Sequence, residues 1–207
     1  MHRPPNTNIS IHKPDPSGKC NKKLTGGFSD GVDGARGFAY CGDIDEAIYL
    51  HGLGNGGQYD SMDIDCDGRN SKGSDCGADE TGQDETAFKG QLSQFGIDDL
   101  DANVHPYVVI SPGIQTALLV LSALRNLGRH QRRGFHGRSI HLLAQLCYPE
   151  YNINGDNGHG DDDVLYLGFT GKDAVPDSSA NWKTGDRNAF EESIKELDDK
   201  LVSGLKA

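Results

Sequence analysis

The apolar residues of this chain come in short pieces that glycine and aspartate separate. Between Cys20 and Gly57 no uninterrupted apolar run exceeds a few residues, and the whole chain of 207 residues contains 28 glycines. Such a pattern favours turns and β structure over long helices. The longest apolar-rich stretch, Ala117–Leu124, is far too short to cross a membrane. We therefore expect a compact single domain that is mainly β (β-rich α+β) and long enough to bury a core.

Apolar periodicity predicts where the regular elements lie. Four pieces predict strands, the last two of them buried: Phe38–Tyr40, Ala47–Leu50, His105–Ile110 and Val164–Phe169. The acidic, glycine-rich stretch Tyr59–Glu85 predicts loops, and Thr86–Phe95 predicts one or two turns of helix. Arg187–Leu205 predicts a C-terminal amphipathic helix, because five apolar residues recur every three or four positions on one face: Phe190, Ile194, Leu197, Leu201 and Leu205.

Charge and cysteine usage indicate a secreted, extracellular protein. The chain has 31 Asp and Glu against 20 Lys and Arg, which gives a formal net charge of −11. That charge repels nucleic acid and anionic lipid and attracts polycations. The five cysteines lack the paired spacing of zinc sites, so we expect disulfides with one thiol left over: Cys20, Cys41, Cys66, Cys76 and Cys147. Residues 1–18 predict a disordered leader without the apolar core of a signal peptide.

The densest acidic motif, Met62–Gly68, is a candidate calcium site. Its Asp63, Asp65 and Asp67 match the opening of an EF-hand loop, in which alternate oxygens surround the ion. The twelfth position of that template requires a bidentate Glu and is Ser74 here. The EF-hand interpretation therefore fails, and a non-EF calcium site or an acidic turn beside a disulfide remains open.

Two further features have alternative explanations. The acidic cluster Asp156–Asp163 contains His159 and could bind a metal, but its glycines favour a solvated turn before the next strand. The single tryptophan, Trp182, could stack on a sugar or pack beside the C-terminal helix.

The stretch Ala102–Pro149 differs sharply from the rest of the chain in composition. None of the 31 acidic residues falls in it, although the average density predicts about seven. Five of the nine arginines lie there: Arg125, Arg129, Arg132, Arg133 and Arg138. At face value Ile114–Leu127 predicts an apolar helix and Gly128–His141 a basic loop, which could bind an anion.

An ordered set of short segments carries a resemblance to a known family. Those before the acid-free stretch or at its start include Phe38–Ile44, Met62–Gly68, Gly82–Gln83, Glu85–Lys89, Phe95–Ile97, Asp99–Asn103 and His105–Val109. Those near its end or after it include Leu146–Cys147, Asn157–His159, Asp163–Leu165, Gly168–Thr170, Lys172–Pro176 and Asp199–Val202. Together they resemble glycoside hydrolase family 75, the fungal endo-chitosanases. The resemblance covers Cys20–Ile110 and Leu143–Ala207.

The resemblance implies endo-acting hydrolysis of the β-1,4 glucosaminyl bonds of chitosan, with inversion and without a cofactor. Inversion needs a general acid and a general base whose carboxyls stand roughly 6.5–9.5 Å apart. In the family the pair lies in a segment resembling G-I-W-G-D-T-N-G-G followed by T-G-E, between the counterparts of His105–Val109 and Leu146–Cys147. That interval is acid-free here, so no catalytic residue can be assigned.

Other expectations follow from the resemblance and the charge. The family's fold is mainly β, in agreement with the short predicted strands. Asp63, Asp65 and Asp67 are the candidate substrate-binding residues for the polycationic chitosan. We expect a monomer that binds neither nucleic acid nor membrane.

A shift of reading frame would explain the acid-free stretch. Arg125–Leu142 can be encoded so that reading one base later gives G-I-W-G-D-T-N-G-G-V-S-T-G-E-A-S-I-S, which contains the family segment. The Asp codon falls over Arg129 and the Glu codon over Arg138. We hypothesise a single chitosanase-like domain over residues 19–207, with 111–142 anomalous and hydrolysis impaired in the chain as written. Two alternatives remain open: a catalytically inert chitosan-binding relative and an extracellular calcium-binding protein.

Overall fold

The computed structural model describes residues 20–29, 36–44, 47–52, 59–73, 76–77, 82–86, 88–109, 123–125, 138–139, 141–155 and 157–205. Within these ranges no helix is long and apolar enough to cross a membrane. The predicted leader, and residues 110–122 and 126–137 of the acid-free stretch, lie outside the described residues.

The described strands form one sheet. In chain order they are β1 Lys23–Ser29, β2 Arg36–Cys41, β3 Ala47–Gly52, β4 Asp60–Ile64, β5 Val108–Val109, β6 Ala123–Arg125, β7 Arg138–Ser139 and β8 His159–Phe169. Their spatial order is β1-β2-β3-β8-β4-β7-β5, and β6 also pairs with β8. The pair of β4 and β7 is parallel, and the other strand pairs are antiparallel.

Strand β8 is the centre of this sheet and separates two groups of core residues. Val164 and Tyr166 belong to the larger core, whereas Leu165 and Leu167 belong to a second core on the other face. This division follows from the alternation of side chains along a strand. Because both faces are covered, the second half of β8 is a continuous apolar run rather than an alternating one.

In the described part of the chain three α-helices accompany the sheet: α1 Lys89–Leu92, α2 His141–Cys147 and α3 Arg187–Gly204. Helix α3 begins after Asp186, whose carboxylate accepts a hydrogen bond of 2.9 Å from the amide of Ala189 and so caps the first turn. Its Phe190 and Ile194 are buried in the larger core. The C-terminal part of the predicted apolar face, at Leu201 and Leu205, packs on a small cluster around Phe169.

Most of the predicted elements are confirmed. The mainly β architecture with a C-terminal helix is as expected, and β2, β3 and β8 contain the predicted strands. Thr86–Phe95 contains α1 followed by a 3-10 turn, Ser93–Phe95.

Three predictions are wrong in part. Tyr59–Glu85 is not all loop, because β4 lies within it and buries Met62 and Ile64. In the described part of His105–Ile110 the strand is limited to the two residues of β5. His105 is buried outside it and forms a hydrogen bond with the backbone oxygen of Trp182. The predicted helix over Ile114–Leu127 contains strand β6 where it is described.

Disulfides tie the chain at two places. Cys20 is bonded to Cys41 at the end of β2, and Cys66 to Cys76. The fifth cysteine, Cys147, is in neither bond. The structure thus confirms two disulfides and one remaining thiol, and it corrects the inclusion of Cys147 among the disulfide formers.

Candidate active site

The interval that should carry the two catalytic carboxylates enters and leaves the sheet on opposite sides of the β8–β4 pair. Val164 of β8 is in register with Arg125 of β6 on one side and with Asp60 of β4 on the other. Arg138 of β7 is in register with Asp63 on the far side of β4. Strands β6 and β7 are therefore three strand spacings apart, about 14 Å.

Of the two proposed catalytic positions, only one is described. Arg138, over which the frame-shift hypothesis places the Glu, begins β7 beside Asp63. Arg129, over which it places the Asp, lies outside the described residues. The same holds for most of the predicted basic loop, Gly128–His141, so its anion-binding role stays a prediction.

Asp63 is the most accessible of the three candidate substrate-binding aspartates. It lies on β4, is partly exposed, and accepts a hydrogen bond of 3.0 Å from the backbone amide of Ile64. Met62 and Ile64, its neighbours on the strand, are buried in the larger core. Because side chains alternate along a strand, this anchoring directs Asp63 away from that core. Its contact with substrate stays a prediction.

Asp65 and Asp67 are buried, whereas residues that bind a polymer must be accessible at the surface. Asp65 is 4% exposed and Asp67 is 8% exposed. The Oδ1 atom of Asp67 accepts a hydrogen bond of 2.7 Å from the amide of Gln83, and its backbone oxygen accepts one of 2.6 Å from the hydroxyl of Tyr107. Burial and the nearby charge of Asp65 raise the pKa of Tyr107, so the phenol stays protonated and keeps donating. These contacts make Asp67 part of the scaffold.

The chain after Asp67 is held by a close backbone approach at Gly68. This glycine has φ of +96°, and a Cβ there would lie 2.7 Å from the oxygen of Leu100. The next residue, Arg69, forms an isolated parallel bridge with Asp101. A side chain at this position would be strained at the positive φ and would clash with the backbone of Leu100, which explains the glycine.

A buried carboxylate fixes the segment that packs against this bridge. Asp99 is 3% exposed and accepts hydrogen bonds from the amides of Thr86 and Leu100, at 2.9 and 2.8 Å, and from the hydroxyl of Thr86. Three donors satisfy a carboxylate that would be costly to bury alone. Asp99 is therefore a structural residue, although it belongs to the segments that carry the family resemblance.

Helix α2 covers the Cys66–Cys76 disulfide with its first residue. His141 is 2% exposed, and its Nδ1 atom lies 3.0 Å from Sγ of Cys76 and 3.9 Å from Sγ of Cys66. The composition gave no sign of this contact, because His141 falls at the end of the predicted basic loop. Cysteines in a disulfide offer no thiolate to a metal, so this cluster is a packed disulfide.

The described residues give no support to the calcium alternative. Two clusters bring three potential metal ligands together in the described part of the chain, and neither contains Asp63, Asp65 or Asp67. The first is the His141 cluster. The second joins the Cys20–Cys41 disulfide to Asp43, whose carboxylate accepts hydrogen bonds from the amides of residues 21 and 22 and from the Tyr49 hydroxyl.

The second acidic cluster is partly strand rather than turn. His159 begins β8, is 3% exposed, and stacks on the ring of Tyr148 with centroids 3.7 Å apart. Gly158 before it touches β4, since a Cβ there would lie 2.4 Å from the oxygen of Met62. The buried histidine is thus a packing residue, and its aromatic contact with Tyr148, the residue that follows helix α2, was not predicted from the sequence.

Trp182 has the packing role that the sequence left open. It is 4% exposed, stacks on Phe95 at 4.6 Å, and donates from Nε1 to the oxygen of Asp177. His105 Nδ1 accepts from the amide of Asp101 at 2.9 Å, so its Nε2 atom donates to the oxygen of Trp182. Burial lowers the pKa of His105, consistent with this neutral form.

Comparisons with known proteins agree with the resemblance. The family model described as fungal chitosanase of glycosyl hydrolase group 75 matches residues 62–127 and 125–204. An endo-chitosanase of Aspergillus oryzae (strain ATCC 42149 / RIB 40) is 47% identical over 221 aligned positions, which cover 95% of this chain and 89% of the relative. Endo-chitosanase B of the same strain is 45% identical over 210 positions, covering 92% and 87%.

A relative from a second species extends this agreement. An endo-chitosanase of Aspergillus fumigatus is 44% identical over 211 positions, which cover 92% of this chain and 87% of the relative. No solved structure matches the chain. The family model and the relatives span nearly all of the described sheet and helices, including the segments on both sides of the acid-free stretch. The chain belongs to the fungal chitosanases of glycosyl hydrolase group 75.

Proposed function

We propose that the active form of this protein is a secreted endo-chitosanase, and that the chain as written has lost most of its activity. In the active form an Asp and a Glu, at the positions of Arg129 and Arg138, flank the β-1,4 glucosaminyl bond. One carboxyl protonates the leaving oxygen while the other activates a water on the opposite face of the sugar, which inverts the anomeric centre.

One observation carries this proposal: the family match breaks inside the acid-free stretch. The first matched piece ends at residue 127 and the second begins at 125, so the two meet at Arg125–Leu127. Arg125 is also the residue at which the alternative frame begins to give the family segment. The break and the missing acids were found independently, from similarity and from composition, and they coincide in the chain.

The surroundings of the interval suit the proposed chemistry. The strands that bound the interval, β6 and β7, lie on opposite sides of the β8–β4 pair at the middle of the sheet. Asp63 lies next to Arg138 across the strand pair. A carboxylate at position 138 would therefore stand near another carboxylate, which raises the pKa of such a group and suits a general acid.

Of the three candidate aspartates on and after β4, only Asp63 is accessible, whereas inversion needs two carboxyls. The interval itself has no carboxylate, and Asp65 and Asp67 are buried. Each general acid or base contributes about 10²–10⁴-fold to the rate. The net charge of −11 still favours association with polycationic chitosan. We therefore expect binding of the polymer without appreciable hydrolysis, as in the inert chitosan-binding alternative.

The test is to replace residues 125–142 with G-I-W-G-D-T-N-G-G-V-S-T-G-E-A-S-I-S and to measure reducing ends released from chitosan. The chain as written should show little or no release, and the replaced chain should hydrolyse the polymer. A matched control carries the same replacement with Asn for its Asp and Gln for its Glu, which keeps shape and removes both carboxyls. This control should be as inactive as the chain as written.

Three results would contradict the proposal. Strong hydrolysis by the chain as written would show that the acid pair lies elsewhere. A replaced chain that folds, judged by cooperative thermal unfolding, yet stays inactive would show that the alternative frame is not the source of the pair. Sequencing the transcript across Arg125–Leu142 tests the frame directly, and a clean message for these residues would reject it. Inversion is checked by following the anomeric proton of the first product by NMR.

A further inference from the structure

A cavity of about 410 Å³ lies beside the C-terminal end of α2 and the start of α3. Its volume is typical of small-molecule sites in proteins. The lining comes from Gln145 of α2, from the loop 149–154 that follows this helix, and from Arg187 of α3. None of these residues falls in the anomalous interval 111–142. The cavity therefore belongs to the part of the chain that matches the family, whatever the origin of that interval.

The charge of the lining is opposite to that of the whole chain. None of the described residues that line the cavity is Asp or Glu, and Arg187 is the charged residue among them, although the chain has a net charge of −11. The Nε atom of Arg187 donates to Glu191 at 2.7 Å. Its terminal N–H groups make no hydrogen bond to another described residue, so they remain available to an acceptor. Such a wall attracts carbonyl or hydroxyl oxygens and disfavours an ammonium group.

The cavity also presents an aromatic ring held in a fixed orientation. Tyr151 is 45% exposed and stands perpendicular to Tyr148 and His159, at centroid distances of 5.7 and 5.1 Å. Those two rings stack on each other at 3.7 Å. Tyr151 therefore packs edge-to-face beside the stack, and these two contacts define the orientation of its ring. A fixed exposed ring is suited to packing against the apolar face of a sugar.

Hydrogen bonds hold the loop that completes the cavity. The side-chain amide of Gln145 donates to the oxygen of Ile153 at 3.0 Å, and the side-chain amide of Asn157 donates to the oxygen of Asn152 at 2.5 Å. Asn154 and Asn157 exchange a pair of backbone hydrogen bonds. The shape of the cavity is therefore formed before any ligand binds, which lowers the entropic cost of binding.

The same loop connects the cavity to the candidate active site. Gly158 follows the Asn154–Asn157 turn and lies against β4, where a Cβ would be 2.4 Å from the oxygen of Met62 and 3.3 Å from Cα of Asp63. Asp63 is in register with Arg138, the position proposed for the catalytic Glu. The loop that lines the cavity thus leads directly into a backbone contact with Met62 and Asp63.

We propose that this cavity is a subsite for an N-acetylglucosamine unit of partly acetylated chitosan. This inference rests on the proposed function and adds a preference to it. The acetyl oxygen accepts a hydrogen bond from the guanidinium of Arg187, the methyl group packs against Pro149 and Ile153, and the sugar ring lies on Tyr151. A deacetylated unit would place its ammonium near the guanidinium of Arg187, and the adjacent carboxylate of Glu191 is already paired with that arginine.

The test is a calorimetric titration of the chain as written with two tetramers, tetra-N-acetylchitotetraose and fully deacetylated chitotetraose, at an ionic strength that screens the acidic surface. Arg187→Gln and Tyr151→Ala should each lower the affinity for the acetylated tetramer by about tenfold. Neither change should lower the affinity for the deacetylated tetramer. Tyr151→Phe keeps the ring and should bind nearly as the parent does. Lys195→Ala, on the exposed side of the same helix, should change neither affinity.

The outcomes separate this inference from the proposed function. The subsite is rejected if, at the screening ionic strength, the parent chain and the folded Arg187→Gln and Tyr151→Ala variants bind the acetylated tetramer with equal affinity. An equal loss of affinity for the deacetylated tetramer in those two variants would also reject the subsite. Binding needs no turnover, so a replaced chain that fails to hydrolyse chitosan would reject the proposed activity and leave the titration result standing. Thermal unfolding of each variant checks that the fold is intact.

Discussion

The close contact between Gly158 and β4 can be tested with a matched pair of substitutions. Gly158→Ala adds one methyl group beside β4, and Gly160→Ala adds the same group two residues further along the chain. The added Cβ at Gly158 would lie 2.4 Å from the backbone oxygen of Met62, whereas at Gly160 it has nothing within 4 Å. The two changes have the same chemistry and differ in the space that each meets.

The expected energies follow from that difference in space. Ordinary van der Waals contact begins at 3.4 Å, so the methyl group at Gly158 is 1.0 Å too close. The atom it meets is backbone and cannot rotate away, which places the cost near the upper end of overpacking, about 3 kcal/mol. Gly160→Ala loses nothing in the folded state and should stabilise by about 0.4–1 kcal/mol, through the lower entropy of the unfolded chain.

Thermal unfolding followed by circular dichroism is a suitable assay. For a domain of this size each kcal/mol corresponds to about 2–4 °C, so Gly158→Ala should lower the midpoint by about 6–12 °C. Gly160→Ala should leave the midpoint unchanged or raise it slightly. Equal midpoints for the two variants would refute the close approach of Gly158 to β4. They would also weaken the argument that this contact links the cavity to Asp63.

Three further predictions concern buried polar groups and a disulfide. Burial lowers the pKa of His105 in the folded state. The stabilisation from its neutral imidazole is therefore complete above the pKa of the unfolded state, about 6.5, and is lost as the pH falls below that pKa. His105→Gln should flatten this acid limb in urea titrations, and an unchanged slope would contradict the neutral assignment. Asp99→Asn should lower the free energy of unfolding by about 2–3 kcal/mol, because the new NH₂ group replaces a carboxylate oxygen that accepts hydrogen bonds from Thr86. An unchanged free energy of unfolding would mean that the Thr86 donors find other partners. Replacing both Cys66 and Cys76 by alanine should cost about 3 kcal/mol from loop entropy, measured as a lower urea midpoint, and an unaltered midpoint would argue against the bond.

The local sequence pattern predicted those elements whose apolar residues form either an uninterrupted run or a helical repeat. The apolar run in β8 and the spacing of Phe190 and Ile194 in α3 needed no knowledge of the partners. Strand β4 was missed because three of its five residues are polar, and its place in the sheet depends on pairing with β8 and β7. Propensity does not contain such long-range pairing.

The candidate site shows the same division. Composition alone located the interval without acids, and the ordered motifs alone identified the family. Only the tertiary structure placed Asp63 beside Arg138, buried Asp65 and Asp67, and brought Arg187 to the loop after α2. These facts depend on contacts between residues far apart in the chain.

The sequence by itself determined the family, the mainly β class, the C-terminal helix and the acid-free stretch, because each depends on residue types and spacing along the chain. The tertiary structure decided which aspartates face solvent, which cysteines pair and where a cavity without carboxylates opens on an acidic protein. The reason is physical: burial, strand register and the meeting of charges are properties of the packed sheet, and no short window of sequence specifies its partners.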